Sequence, residues 1–298
     1  MEVVIIDGFK FEKVKVIQNL LVESDRLAKT IKYINEKKIK GITLNSSHGY
    51  SLKNIDFVAD IADVIEKIDI VDDDINLKGI ELLYNLKKIF IGRDNMSPID
   101  FSYLQQLESC NLSWHKRLVN LNSCKYLENL YIRKFDKNFE LLIGLEKLKS
   151  LSLIQSKVFN LDFLMHFPLL EAIELSYIRS LLNVDGLKHC SSTLKKLEID
   201  HCKRIDNYDV LGKLIELTWL NVTDSKELED IYFLKKLKKL EHFAFVNTNV
   251  VNGDMSPGIG IKYVGFNNKK HYSHTNEEIH KLNGNDVAWN MLMKWKQK

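Results

Sequence analysis

The chain has 298 residues, 45% of them hydrophobic and 28% charged, with only three prolines and thirteen glycines. That composition excludes a disordered or low-complexity polymer and allows a sizeable core. Its 43 basic residues stand against 40 acidic ones for a net charge of +3, too even by itself to indicate nucleic-acid or membrane binding.

The first sixteen residues, MEVVIIDGFKFEKVKV, lack a basic stretch followed by an apolar one, and Asp7 falls where the apolar stretch of a secretory signal would be. Nowhere do eighteen apolar residues run together, so no membrane span is expected. Cys110, Cys124, Cys190 and Cys202 show no CxxC pairing, as expected of free thiols in a reducing compartment. The expectation is a soluble cytoplasmic protein.

Residues 1–38 read as an N-terminal cap of strand and helix. EVVII is rich in β-formers, and SDRLAKTIKYINEKK is amphipathic, with Ser24 as its expected N-cap and Leu27, Ile31 and Ile34 on one face. The segment DFVADIADVIEK, 56–67, predicts a fuller helix. From residue 39 to about 270 the pattern L-x-x-L-x-L recurs. It is clear at Leu86/Ile89/Ile91, Leu107/Cys110/Leu112, Leu127/Leu130/Ile132, Leu148/Leu151/Leu153, Leu170/Ile173/Leu175, Leu194/Leu197/Ile199, Leu217/Leu220/Val222 and Leu240/Phe243/Phe245. Weaker copies stand at Ile39/Ile42/Leu44, Ile65/Ile68/Ile70 and Ile261/Val264/Phe266, about eleven rungs in all. Residues 271–298 are left as a C-terminal cap or tail, with a helix expected around Val287–Trp295.

The last two apolar residues of each copy lie two apart and therefore share one face of a short strand. One copy cannot bury that face alone; stacked copies give a parallel sheet with a continuous core. A triplet rhythm upstream, Leu211/Leu214/Leu217 and Leu234/Leu237/Leu240, suits short 3₁₀ turns.

These copies resemble the leucine-rich-repeat family, and their short period is similar to its bacterial internalin-like subclass, here without a secretion signal. The resemblance implies an α/β solenoid with a curved parallel sheet on the concave face and short 3₁₀ or helical turns on the convex one. It also accounts for Cys202, the last residue of an Asp200-His201-Cys202 run that could otherwise suggest a metal site. Cys202 is the ninth residue of its repeat, where the family pattern turns Asn or Cys inward to satisfy backbone groups. Ser156, Ser225 and Thr248 occupy the same position; His115, Phe135 and Ile178 interrupt it.

The variable positions three, five, seven and eight line the expected concave face. They supply the candidate partner-binding residues Phe90, Trp114, Tyr131, Glu174, Tyr177, Glu198, Asp200, His201, Trp219, Asp224, His242 and Tyr263. Lys67, Lys88, Arg93, Arg133 and Lys134 make the first half of the face basic, whereas its second half is acidic. Aromatic residues and arginines dominate interface hot spots.

The densest set of potential metal ligands, His271, His274, Glu278 and His280, lies in a polar terminal stretch and reads as a solvated cap. GDMSPGIGIK lacks the spacing of a phosphate loop, and no G-x-S-x-G elbow occurs. No catalytic residue, metal or cofactor is expected. The expected function is protein–protein interaction by a monomer, with a basic protein as the candidate partner and an intracellular immunity or antitoxin-like protein as the particular expectation. The alternatives are a ubiquitin-ligase or signalling adaptor and a nucleic-acid-binding protein.

Overall fold

The structure is a computed structural model and describes residues 2–13, 15–136 and 139–284. The helix expected around Val287–Trp295 lies outside the described residues. The chain divides into two units, Met1–Leu148 and Lys149–Lys298.

The first unit opens with an antiparallel hairpin of β1 (Glu2–Ile6) and β2 (Phe9–Lys13). Asp7 and Gly8 form its turn with φ of 51° and 80°, the pair of positive values that a two-residue hairpin requires. β3 (Ile17–Leu21) pairs antiparallel with β2, and helix α1 (Leu27–Lys37) then crosses to β4 (Gly41–Leu44), which runs parallel to β3. Four further parallel strands follow: β5 (Lys67–Ile70), β6 (Lys88–Ile91), β8 (Ser109–Ser113) and β10 (Asn129–Arg133). Between them β7 (Ile99–Asp100) and β9 (Leu118–Val119) form a small parallel ladder of their own.

The second unit continues the pattern with β11 (Ser150–Ile154), β12 (Ala172–Ser176), β13 (Lys196–Asp200), β14 (Trp219–Thr223), β15 (His242–Ala244) and β16 (Tyr263–Gly265), all parallel and paired in chain order. Helix α2 (Asn276–Leu282) follows β16. It starts with a capping box in which the Thr275 hydroxyl accepts from Glu278 N and the Glu278 carboxylate accepts from Thr275 N.

The repeat register is the one expected. Leu151, Ile173, Leu197, Leu220, Phe243 and Val264 lie opposite one another across the strands of the second unit, and all are buried. In the first unit Ile42, Ile68, Ile89, Cys110 and Leu130 do the same. The opposite sides of the rungs are closed by 3₁₀ turns, including Asp209–Lys213 and Tyr232–Lys236. In these turns Leu214 N donates to Leu211 O and Leu237 N to Leu234 O at 3.1 and 3.0 Å, so the leucines three apart point inward together. Each unit is thus an α/β leucine-rich-repeat arrangement, with parallel strands on one side and short turns on the other.

The local expectations differ in two places. Ser24 does not cap α1: a 3₁₀ turn, Ser24–Arg26, precedes the helix, and the Ser24 hydroxyl accepts from the amides of Ser51 and Leu52. The segment 56–67 is a 3₁₀ turn at Asp56–Ile61 rather than a full helix. Phe57, Val58, Ile61, Val64 and Ile65 are all buried, and the strand begins at Lys67, so the chain has to bury a β-branched cluster within few residues. An α-helix would also place these residues on one face, so the apolar spacing alone does not distinguish the two conformations.

Inside the rungs the ninth position behaves as the resemblance implies. The Thr248 hydroxyl accepts from Ser225 N (3.2 Å), and the Ser225 hydroxyl accepts from Cys202 N (3.1 Å) while donating to Thr223 O (2.8 Å). The Cys202 thiol lies against Leu175 O and Asp200 O at 3.5 and 3.4 Å. Ile178 and Phe135 are fully buried at the same position, so there the ladder gives way to apolar packing.

Candidate partner-binding surface

In a rung, positions four and six point inward, so three, five and seven point out of the sheet. Position eight, just past the strand, has a shared property: Gln155, Tyr177, His201, Asp224 and Asn247 all adopt left-handed backbone, with φ between 46° and 57°. Asn and Asp tolerate this conformation, whereas a bulky side chain there is uncommon and strained. Tyr177 is therefore set at this edge despite its residue type, whereas His201 is among the residues that adopt it more readily.

The candidate residues of the second unit gather into two groups. At position three, Trp219, His242 and Tyr263 are successive partners in the register, and their rings stack. Trp219 and His242 have centroids 3.4 Å apart, and His242 and Tyr263 4.5 Å. Lys196 extends the row, its ammonium 5.8 Å from the indole centroid, and the buried His280 of α2 lies beyond Tyr263 at 5.3 Å. Asn221 stitches the row from below. With its amide oxygen turned to the indole it accepts from Trp219 Nε1 (3.1 Å), and its nitrogen donates to His242 Nε2 (3.0 Å). Burial between two rings, aided by the charge of Lys196, pushes His242 down to about 4.

The second group sits at the other end of the strands. Tyr177 and His201 stack with centroids 4.2 Å apart and planes 17° from parallel. His201 Nδ1 donates to Asp200 Oδ1 (2.9 Å), which also accepts from the Thr223 hydroxyl (3.1 Å), while Asn247 donates to Asp224 at 3.2 Å. Positions three and eight are five residues apart, about 16 Å along a strand. The sheet face thus offers two aromatic clusters, separated by Glu174 and Glu198. Lys196 pairs with Glu198 at 3.2 Å, and the Ser176 hydroxyl donates to Glu174 at 3.3 Å.

In the first unit, Phe90 and Tyr131 stand half-buried on the strands. Trp114 is turned towards the core, its ring edge-on to the buried Phe135 at 5.0 Å. The basic residues of this half are partly neutralised, Lys67 by Asp69 (3.1 Å) and Lys134 by Asp94 (3.0 Å).

Among the described residues, one group brings three possible metal ligands together: Asp200, His201 and Asp224, with donor atoms within 4.8 Å. Their hydrogen bonds to each other, to Thr223 and to Asn247 already engage the facing atoms. The sequence cluster of residues 271–280 is dispersed. His271 contacts Val250 O, His274 contacts Ser273, Glu278 caps α2, and His280 is buried. His280 therefore departs from the solvated cap expected of this stretch, because α2 folds it under Tyr263. Burial also holds His280 below the ordinary imidazole value.

Sequence reasoning missed a further row, at position ten: Lys157, Arg179, Lys203 and Lys226, all exposed. Their recurrence one repeat apart is a signal the sequence does carry.

No protein-family model matches the chain, and no curated protein matches its sequence. Solved structures are similar in fold. An internalin of Listeria monocytogenes, InlF, is 14% identical with a TM-score of 0.54 over 76% of this chain and 68% of its own. The functional domain of InlJ from the same organism is 16% identical with a TM-score of 0.52, over 76% of this chain and 46% of its own. The fold is therefore that of a leucine-rich-repeat protein of the internalin-like, short-repeat kind. Among the described residues no helix is long and apolar enough to cross a membrane.

Proposed function

We propose that the chain is a non-catalytic interaction module that holds a protein partner on its sheet face, the concave side of a leucine-rich-repeat solenoid. The reading is carried by the Trp219–His242–Tyr263 row, a preformed aromatic platform on the sheet face, with Glu174 and Glu198 between it and the Tyr177–His201 stack. Rings held by stacking lose little freedom on binding, and such anchors carry most of the energy of an interface. The carboxylates suit a cationic partner and would speed its encounter.

On this reading residues 1–38 and 271–298 cap an array of residues 39–270, and the module works as a cytoplasmic monomer without cofactor or metal. The particular role we favour is that of an immunity or antitoxin-like protein that occupies a basic toxin, such as a nuclease. Affinity capture from the native cell, followed by titration calorimetry with the captured protein, tests it. A partner held equally well by wild type, by Trp219→Ala and by Glu198→Lys/Asp224→Lys would remove the sheet face as the interface.

A further inference from the structure

We infer that the turn edge of the second unit is a second contact zone, a cationic ridge that takes an acidic peptide segment of the protein partner. This deepens, and rests on, the reading of the sheet face as a partner surface. Lys157, Arg179, Lys203 and Lys226 occupy the same repeat position on four successive rungs, about 4.8 Å apart per strand. Arg204 adjoins Lys203. All five are exposed, and none takes part in an ion pair among the described residues.

The contrast with the cations that precede the strands of this unit gives the ridge its meaning. There the cations are neutralised between rungs: Lys195 by Glu171 (2.9 Å), Lys239 by Glu216 (2.5 Å) and Lys262 by Glu241 (2.7 Å). Like charges on neighbouring strands repel. The ridge keeps that repulsion, and a bound anion relieves it.

The ridge also meets the Tyr177–His201 stack. Tyr177, Arg179, His201, Lys203 and Arg204 line one shallow pocket of about 400 Å³. Three cations beside an aromatic pair suit a carboxylate on an apolar stem, the chemistry of a glutamate-containing segment. The left-handed backbone at Tyr177 and His201 is what delivers both rings to this edge.

A peptide fits better than a nucleic acid. Asp206 and Glu227 lie in the adjoining surface with Lys203 and Lys226, and Asp200 and Asp224 border the stack. A phosphate chain carries its charge at every residue and would meet these carboxylates. A peptide can set acidic residues against the cations and neutral ones between them.

The test is fluorescence anisotropy with a labelled peptide of alternating Glu and Ala, its Lys–Ala counterpart and an oligothymidine. The Glu–Ala peptide should bind at low salt and weaken as salt rises. Arg179→Glu/Lys203→Glu/Arg204→Glu should weaken it by at least about tenfold, and the Gln triple variant should act in the same direction with less charge disturbance. Lys239→Glu and Lys262→Glu, which change exposed cations away from the ridge, should leave it unchanged. Absence of peptide binding, wild-type binding by both triple variants, or loss in Lys262→Glu would overturn the ridge. So would oligothymidine binding more tightly than the peptide and being lost in the triple variants. Capture of a partner through Trp219 is a separate readout, so either reading can fail alone.

Discussion

The indole of Trp219 and the imidazole of His242 lie face to face, their centroids 3.4 Å apart and their planes 1° from parallel. Aromatic pairs contribute about 0.5–1.5 kcal/mol beyond the area they bury when offset or edge-on, and a face-to-face pair stands at the lower end. Trp219→Ala should therefore cost about 1 kcal/mol of stability and leave the repeat folded, because the ring lies outside the core. Its effect on partner binding should be larger, about 2 kcal/mol or more as for hot-spot truncations. Urea melts and calorimetry with the captured partner measure the two terms. A variant that fails to fold would place the ring in the core.

His242 gives the stack a pH signature. In the unfolded chain it takes up a proton near its ordinary value of 6.5, and in the fold burial first, then Lys196, hold it down to about 4. Between those values the unfolded chain binds a proton that the folded one does not. Stability from this residue is complete above about 6.5 and falls as pH drops towards about 4, where the loss levels off. His242→Phe keeps an aromatic ring without the titration, so urea melts across this window should show a shallower acid loss than in wild type. An identical slope in the two proteins would mean that His242 is protonated within the fold.

The core rests on the inward leucines. Leu151, fully buried at the fourth position of its rung, should cost roughly 2–5 kcal/mol on truncation to Ala. A stability loss of less than about 0.5 kcal/mol in denaturant melts would contradict the register.

Gly186 is a glycine for reasons of space. A Cβ there would stand 2.2 Å from the backbone carbon and oxygen of Leu161, where the 3₁₀ turns Asp162–His166 and Asp185–Cys190 pass closely. Backbone cannot yield as a side-chain tip can, so Gly186→Ala should destabilise by about 1–3 kcal/mol. Gly212, whose nearest contacts are the side chains of Lys236 and Phe233 at 3.3 and 3.4 Å, is the comparison, and its Ala variant should melt closer to wild type.

The four cysteines should be inert in the native protein. Burial pushes Cys124 up to about 12 and Cys190 and Cys202 up to about 11, and it raises Cys110 well above the ordinary thiol value. Thiolate is the reactive form, so a disulfide-exchange reagent should label none of them until denaturant is added. Rapid labelling of one thiol at neutral pH would show that its rung opens.

The rungs were legible because burial imposes a strict code: an apolar side chain is needed at positions four and six whatever else the repeat does. Cys202 was legible for a similar reason, since an inward turn leaves amides that a small polar side chain can satisfy. The left-handed backbone at position eight was not. Asn247, Asp224 and His201 hint at it, but Tyr177 does not favour that conformation, and only the closing of the rung imposes it. The stacking of Trp219, His242 and Tyr263 lay between these cases. Each ring was assigned to the outer face, but whether adjacent rings face solvent or one another depends on rotamers that spacing does not determine. Trp114 shows the limit: its position was outward by count, yet Phe135 at the next rung's ninth position offers its ring a better surface than water.

The parallel register has a consequence for how the chain acquires its structure. Every strand of the second unit bonds to strands one repeat away in sequence, as Leu197 does to Ile173 on one side and Leu220 on the other. Loop closure over so short a span costs little more at the last rung than at the first. Each rung can therefore be laid onto its predecessor as soon as its own residues are available, in the order in which a ribosome releases them.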